Sequence, residues 1–213
     1  MYCLNLSLNS ATIMTVIKMS YICLISNKNG ASISADSRLS ARRAHFNHAL
    51  KVFSTNDLIF GITGLYKSTG EVTAKAVRDI LLDTSVCAES RIQSAISYLK
   101  LQTKANDAGC SLLIAAKGEG GKIVCSVDIK DGKQKLCAYD AEKEIAVQNG
   151  RNSDKLTPLK EYLPNKTDEI EEINLLTQKR TAEAIAYDKK MKKLLGNYND
   201  TVGGKINTVS LKW

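Results

Sequence analysis

The order in which extended and helical segments follow one another is what most limits the folds open to this chain. "YICLIS" (21–26) and "ASISAD" (31–36) are short and rich in β-forming or small residues. The "NKNG" between them carries an Asn-Gly suited to a hairpin turn, so they read as two antiparallel strands. "LIFGIT" (58–63) reads as another strand. Two consecutive helices follow, one with Val72, Ala76, Val77, Ile80 and Leu81 on a shared face, the next with Ile92, Ala95, Ile96 and Leu99. Strands resume with "CSLLIAAK", "KIVCSVDI", "KLCAYD" and "EIAVQ", joined by turns such as "GEGG" and "KDGK". A long helix from 169 to 195 carries Ile173, Leu176, Ala184, Tyr187, Met191 and Leu194 at helical spacing. It stops at Gly196 and gives way to a last strand, "KINTVSL".

Strands and helices that come in separate runs favour antiparallel sheets with helices on their outer faces over an alternating parallel α/β fold. The expected class is α+β, and a four-layer αββα sandwich of two stacked antiparallel sheets flanked by helices accommodates every element. At 213 residues and 44% hydrophobic content the chain suits one sizeable core, so 20–213 is expected to be a single domain preceded by an upstream segment, 1–19. That segment lacks the basic start and extended apolar run of a secretory signal, and no run of eighteen apolar residues occurs anywhere. A cytoplasmic location with no membrane partner is expected.

Thirty basic against twenty-two acidic residues give a net charge of +8, a balance that can signal nucleic acid. The basic residues are spread along the chain, with local clusters only at "ARRAHFNH" and "KKMKK". Aromatics at 6% leave few stacking platforms, so nucleic acid is not an expected partner. "YDKKMKKLL" reads as the solvated face of a helix, and "ARRAHFNH" as a solvated or substrate-side loop. Six cysteines form no C-x-x-C pair, and only His45 and His48 could join them as ligands, so no metal is expected. All six read as small buried hydrophobes.

The chain has no G-x-S-x-G elbow, H-E-x-x-H, P-loop or G-x-G-x-x-G, and a Ser-His-Asp triad has no supporting motif. An enzyme built on it needs chemistry that does without histidine. A chain that begins at Ser, Thr or Cys has one: its own α-amino group, with a pKa of about 8, can take the proton from the adjacent hydroxyl. In "MSYICLISNKNGASISADSR" (19–38), removal of an initiator Met19 would expose Ser20 in this way.

The segment "SYICLISNKNGASISADSR", with "HALKVF", "LIFGITG" and the ending "DTVGGKINTVSL", resembles the β-type subunits of the proteasome family, which are N-terminal nucleophile hydrolases. The resemblance spans most of 20–212 and is nearest to the ancestral β-subunit, or Anbu, type. It implies that Ser20 stands at the nucleophile position, that Asp36, sixteen residues on, ends the second strand, that Lys51 is the lysine of the following K-V segment, and that Gly64 supplies an oxyanion-hole amide. Ser20 Oγ would attack a carbonyl, its α-amino group would act as base and then as proton donor to the leaving amine, and Lys51, held by Asp36, would place positive charge beside both. No cofactor is implied. The implied partners are peptide or unfolded-protein substrates and further copies of the chain in a ring or spiral; whether an ATPase partner serves it is not given by the sequence.

Departures accompany the likeness. Serine replaces the usual threonine, losing the methyl that restricts the hydroxyl rotamer. The interval from Asp36 to Lys51 is one residue short. Supporting positions fall loosely on Ser153 in "VQNGRNSDKL" and on Asp200 and Thr201 in "DTVGG". Residues 1–18 read as a mis-assigned upstream start or as a propeptide. If they stay attached, the amino base is lost, and a catalytically inactive scaffold subunit of the same fold becomes the alternative. A small-molecule amidase using the same nucleophile is a further one. Apart from the likeness, Ser20 reads as a strand-opening residue, Asp36 as a turn residue and Lys51 as a surface charge.

Overall fold

A computed structural model of the chain describes residues 20–41, 44–46, 49–64, 70–106, 109–150, 152–196 and 201–213. In order these form β1 (Tyr21–Asn27), β2 (Gly30–Asp36), β3 (Leu39–Ala41), β4 (Ala44–Phe46), β5 (Val52–Ser54), β6 (Leu58–Gly64), α1 (Gly70–Leu82), α2 (Ala88–Asn106), β7 (Gly109–Gly118), β8 (Gly121–Lys130), β9 (Lys133–Tyr139), β10 (Ile145–Gly150), α3 (Ile170–Leu195) and β11 (Ile206–Lys212). The upstream segment 1–19 and Asp200 lie outside the described residues, as do 42, 43, 47 and 48 of "ARRAHFNH"; its described residues, Ala41 and Ala44–Phe46, belong to a β3–β4 ribbon rather than a loop.

The class is α+β, with two main antiparallel sheets and three α-helices among the described residues. One sheet runs β10-β1-β2-β11 and the other β5-β6-β7-β8-β9. Period-two alternation gives each sheet two apolar faces. Ile22, Leu24 and Ile33 of the first sheet form one buried cluster with Ile59, Leu113 and Val124 of the second. On its other face the five-stranded sheet packs Leu58, Phe60, Leu112 and Ile114 against Val77 and Leu81 of α1 and Ile92, Ala95, Ile96 and Leu99 of α2. On its other face the four-stranded sheet sets Tyr21, Cys23 and Ile25 against Ile173, Ala184 and Ile185 of α3.

Several local expectations need adjustment. The first hairpin turns through Lys28 and Asn29, because Asn27 pairs with Gly30, and the Asn27 side chain organises it. The Asn27 Oδ1 accepts from the Asn29 amide at 2.8 Å, while its Nδ2 donates to the carbonyls of Asn165 (2.8 Å) and Asp168 (2.9 Å). Of the six cysteines, Cys23, Cys110 and Cys125 are buried, Cys87 and Cys137 are half-buried, and Cys3 lies outside the described residues. Cys87 immediately precedes α2 and Cys137 lies on the edge strand β9, which is why neither is enclosed.

The largest correction concerns α3. A reciprocal pair of bonds between Glu169 and Glu172 caps its start, and it ends at Gly196 as the sequence indicates. Its buried face, however, consists of Ile173, Thr177, Arg180, Thr181, Ala184, Ile185 and Asp188, while Leu194 is 65% exposed. The sheet surface beneath is partly polar. Ser32 Oγ lies 2.9 Å from Thr177 Oγ1, and Ser34 Oγ donates to the Thr177 carbonyl and meets Thr181 Oγ1, both at 2.7 Å. No helix among the described residues is long and apolar enough to cross a membrane.

Candidate active site

The site begins where β1 starts and β2 ends. Antiparallel pairing of Ile22 with Ala35 brings the first residues of β1 beside Asp36. Asp36 is fully buried and takes four donors. Its Oδ1 accepts from the Tyr21 amide at 2.8 Å and from Lys51 Nζ at 2.9 Å, and its Oδ2 from the amides of Gly203 at 3.0 Å and Arg38 at 3.1 Å. A carboxylate removed from water demands this saturation, and removing one partner of a buried pair typically costs about 3–5 kcal/mol.

Lys51 is not a surface charge but a buried one, 4% exposed. It sits just before β5, where its carbonyl accepts from the Ile62 amide at 2.9 Å, and its Nζ also donates to the Arg38 carbonyl at 2.5 Å. Burial pulls its pKa below the ordinary lysine value; Asp36 opposes that shift and Arg38 adds to it. The ammonium therefore shares one carboxylate oxygen with the amide of the residue that follows Ser20.

Ser20 is 2% exposed. By strand alternation it shares the face of Ile22 and Leu24, the one turned toward the second sheet. Gly150, at the end of β10, comes so close that a Cβ on it would lie 2.3 Å from the Ser20 carbonyl oxygen and 2.8 Å from Tyr21 Cα, and its φ is +144°. No other residue fits there. Gly64 closes β6 at φ +92°, where a Cβ would meet the Gly109 carbonyl oxygen at 2.4 Å. Its neighbour Thr63 is buried with a hydroxyl that has no hydrogen-bond partner. At the same end of the sheets, Asn149 Nδ2 donates to Ser111 Oγ and Asp128 Oδ1, both at 2.7 Å, so this end of the inter-sheet space is polar.

Of the positions singled out in the sequence, Asp36 and Lys51 are joined directly, and Ser20 adjoins them through Tyr21. Thr201 is buried beside them: the amides of Thr201 and Val202 donate to Asp188 Oδ2 at 2.7 and 2.8 Å, while the next residue, Gly203, donates to Asp36. The "TVGG" run thus bridges two buried carboxylates. Ser153 opens a 3-10 turn after β10, and its carbonyl accepts from Gln148 Nε2 at 2.8 Å. Sequence reasoning passed over Asp188, Arg180 and Gln148. The solvated reading of "YDKKMKKLL" hid Asp188, although its spacing from Ala184 and Arg180 places it on the same helical stripe. Among the described residues no group of three His, Cys, Asp or Glu side chains is placed to hold a metal.

No protein-family model and no curated protein sequence matches the chain. Among solved structures the fold is similar to that of Anbu (ancestral beta-subunit) from Yersinia bercovieri, with a TM-score of 0.58 and 13% sequence identity over 90% of this chain and 81% of that one. At that identity the likeness is one of backbone architecture, a proteasome-like fold in coarse outline.

Proposed function

We propose that the chain is a proteasome-like peptidase subunit of the N-terminal nucleophile class, with Ser20 as its attacking residue. The observation that carries this reading is Asp36, whose one oxygen holds both Lys51 Nζ and the Tyr21 amide. On this reading the Lys51 charge, held on the oxygen that also binds the amide after Ser20, acts on the serine whose hydroxyl must lose a proton. With residues 1–19 removed, the Ser20 α-amino group takes the hydroxyl proton, Oγ bonds to the peptide carbonyl carbon, and the C–N bond breaks as the amine receives that proton. Water then cleaves the ester by the reverse route. Lys51 favours the ionised oxygen and disfavours premature protonation of the amine. Gly64 is the position assigned to the oxyanion, where one donor contributes about 10²- to 10³-fold in rate in other hydrolases.

The same reading takes the three packed interfaces as an αββα sandwich. It takes the protein to be cytoplasmic and to act on peptide or unfolded chains within a homo-oligomeric ring or spiral. The burial of Ser20 at 2% favours a second reading, in which an untrimmed chain serves as an inactive scaffold. A β-lactone or epoxyketone probe separates the two: the peptidase reading requires covalent capture on a chain that begins at Ser20 and none on Ser20→Ala, whereas the scaffold reacts in neither form.

A further inference from the structure

We infer that Arg180 and Gln148 are positioning residues that set the geometry of Ser20 through the Tyr21 side chain. The inference deepens the proposed function and rests on it for its chemical consequence. Tyr21 is fully buried and held at both ends. Its amide donates to Asp36. At the far end its hydroxyl donates to Gln148 Oε1 at 2.7 Å and accepts from Arg180 Nε at 3.0 Å. Arg180, also fully buried, gives Nε and Nη2 to Gln148 Oε1 at 2.9 and 2.7 Å and Nη1 to Glu183 Oε2 at 2.6 Å, and its guanidinium lies 4.9 Å from the Tyr162 ring centroid. Glu183 is held in turn by the Tyr162 hydroxyl at 2.8 Å and the Thr157 amide at 2.7 Å. Gln148 Nε2 completes the cluster on the Ser153 carbonyl.

Three segments that meet around Ser20 are thereby tied together: β1, which it opens; the end of β10 with its following turn, whose Gly150 abuts the Ser20 carbonyl; and α3. Stability alone does not call for such a cluster. A buried ion pair contributes little compared with apolar packing of the same volume, because desolvating a guanidinium offsets most of its attraction. What directional bonds supply and apolar contacts do not is a fixed position. A nucleophile displaced by 1 Å can lose about 10²-fold in rate. Gln148 is central because one side-chain oxygen receives the Tyr21 hydroxyl and two arms of Arg180.

The experiment uses Tyr21→Phe, which keeps the ring and removes only the hydroxyl, alongside Gln148→Ala and Gln148→Glu, the second of which retains the acceptor. Two quantities are read in each: hydrogen exchange at the Tyr21 amide, and the inactivation rate and affinity for a β-lactone probe taken separately. Tyr21→Phe and Gln148→Ala are expected to speed exchange of that amide at least about tenfold while α2 amides stay protected, and to lower the inactivation rate without changing probe affinity. Gln148→Glu keeps the acceptor for Tyr21 and Arg180 but loses the donor to the Ser153 carbonyl, so it is expected to fall between wild type and Gln148→Ala in both, and a Gln148→Glu indistinguishable from Gln148→Ala overturns the central place given to that oxygen. Tyr21 amide exchange that is unchanged in Tyr21→Phe overturns the positioning role. A wild-type protein that never reacts with the probe, yet shows faster exchange in the variants, overturns the peptidase reading and leaves the positioning role standing.

Discussion

The two helix–sheet interfaces are built from different materials. Where α1 and α2 cover the five-stranded sheet, the contact is a broad apolar cluster centred on Phe60, Leu99, Leu112 and Ile114. Where α3 covers the four-stranded sheet, apolar contacts are fewer, and Ser32, Ser34, Thr177, Thr181, Arg180 and Asp188 make hydrogen bonds across the join. Apolar packing is roughly proportional to area and has no preferred direction, while a hydrogen bond fixes distance and angle. The candidate site adjoins the second interface: Asp36 ends a strand of the four-stranded sheet, Asp188 on α3 holds the segment that reaches back to Asp36, and Ser20, which faces the second sheet, is tied to them through its neighbour Tyr21. One interface is suited to bulk stability and the other, on the proposed function, to registering the groups of the candidate site.

That division predicts separable effects. The largest belongs to the apolar side. Leu99→Ala should cost about 2–5 kcal/mol in denaturant unfolding, while probe reactivity per folded molecule is unchanged. A matching fall in reactivity would show that the two sides are not independent. Next comes an acid effect on the polar side. Burial raises the pKa of Glu183, but the bonds from Thr157 and Tyr162 and the charge of Arg180 outweigh it, bringing the group from 4.5 to about 2. Its folded-state pKa is depressed, so its contribution is complete above the ordinary value and is lost as pH falls from about 4.5 through about 2. The loss should reach up to about 3 kcal/mol in wild type and vanish in Glu183→Gln. Hydrogen exchange in that window should show α3 opening before α2, and simultaneous opening would break the comparison. The smallest effect is Ser34→Ala, at about 1 kcal/mol, because it removes hydrogen bonds to Thr177 and Thr181 and little apolar area.

The same contrast explains what the sequence disclosed. Strands such as 21–26 and 110–117 were legible because their residues favour extended chain. The faces of α1 and α2 were legible because apolar residues recur there at helical spacing. The limits of α3 were legible from Gly196, but its face was not, since Thr177, Arg180, Thr181 and Asp188 carry no hydrophobic signal and are buried only because the sheet beneath offers partners. β3, β4 and β5, of three residues each, are too short to show a period. In the site, the spacing of Ser20, Asp36 and Lys51 could be read along the chain. The bond from Gly203 to Asp36 and the approach of Gly150 to Ser20 arise from tertiary pairing, which local sequence does not encode.

The central claim is that Ser20, once it is the first residue, is an activated nucleophile governed by the Asp36–Lys51 pair. Intact-mass measurement after β-lactone treatment tests it most directly. The predicted result is a chain starting at Ser20 that gains a single probe mass, with the gain abolished in Ser20→Ala and strongly reduced in Lys51→Ala. A folded chain that starts at Ser20 and gains no mass would contradict the account, and so would one that gains the same mass in Ser20→Ala.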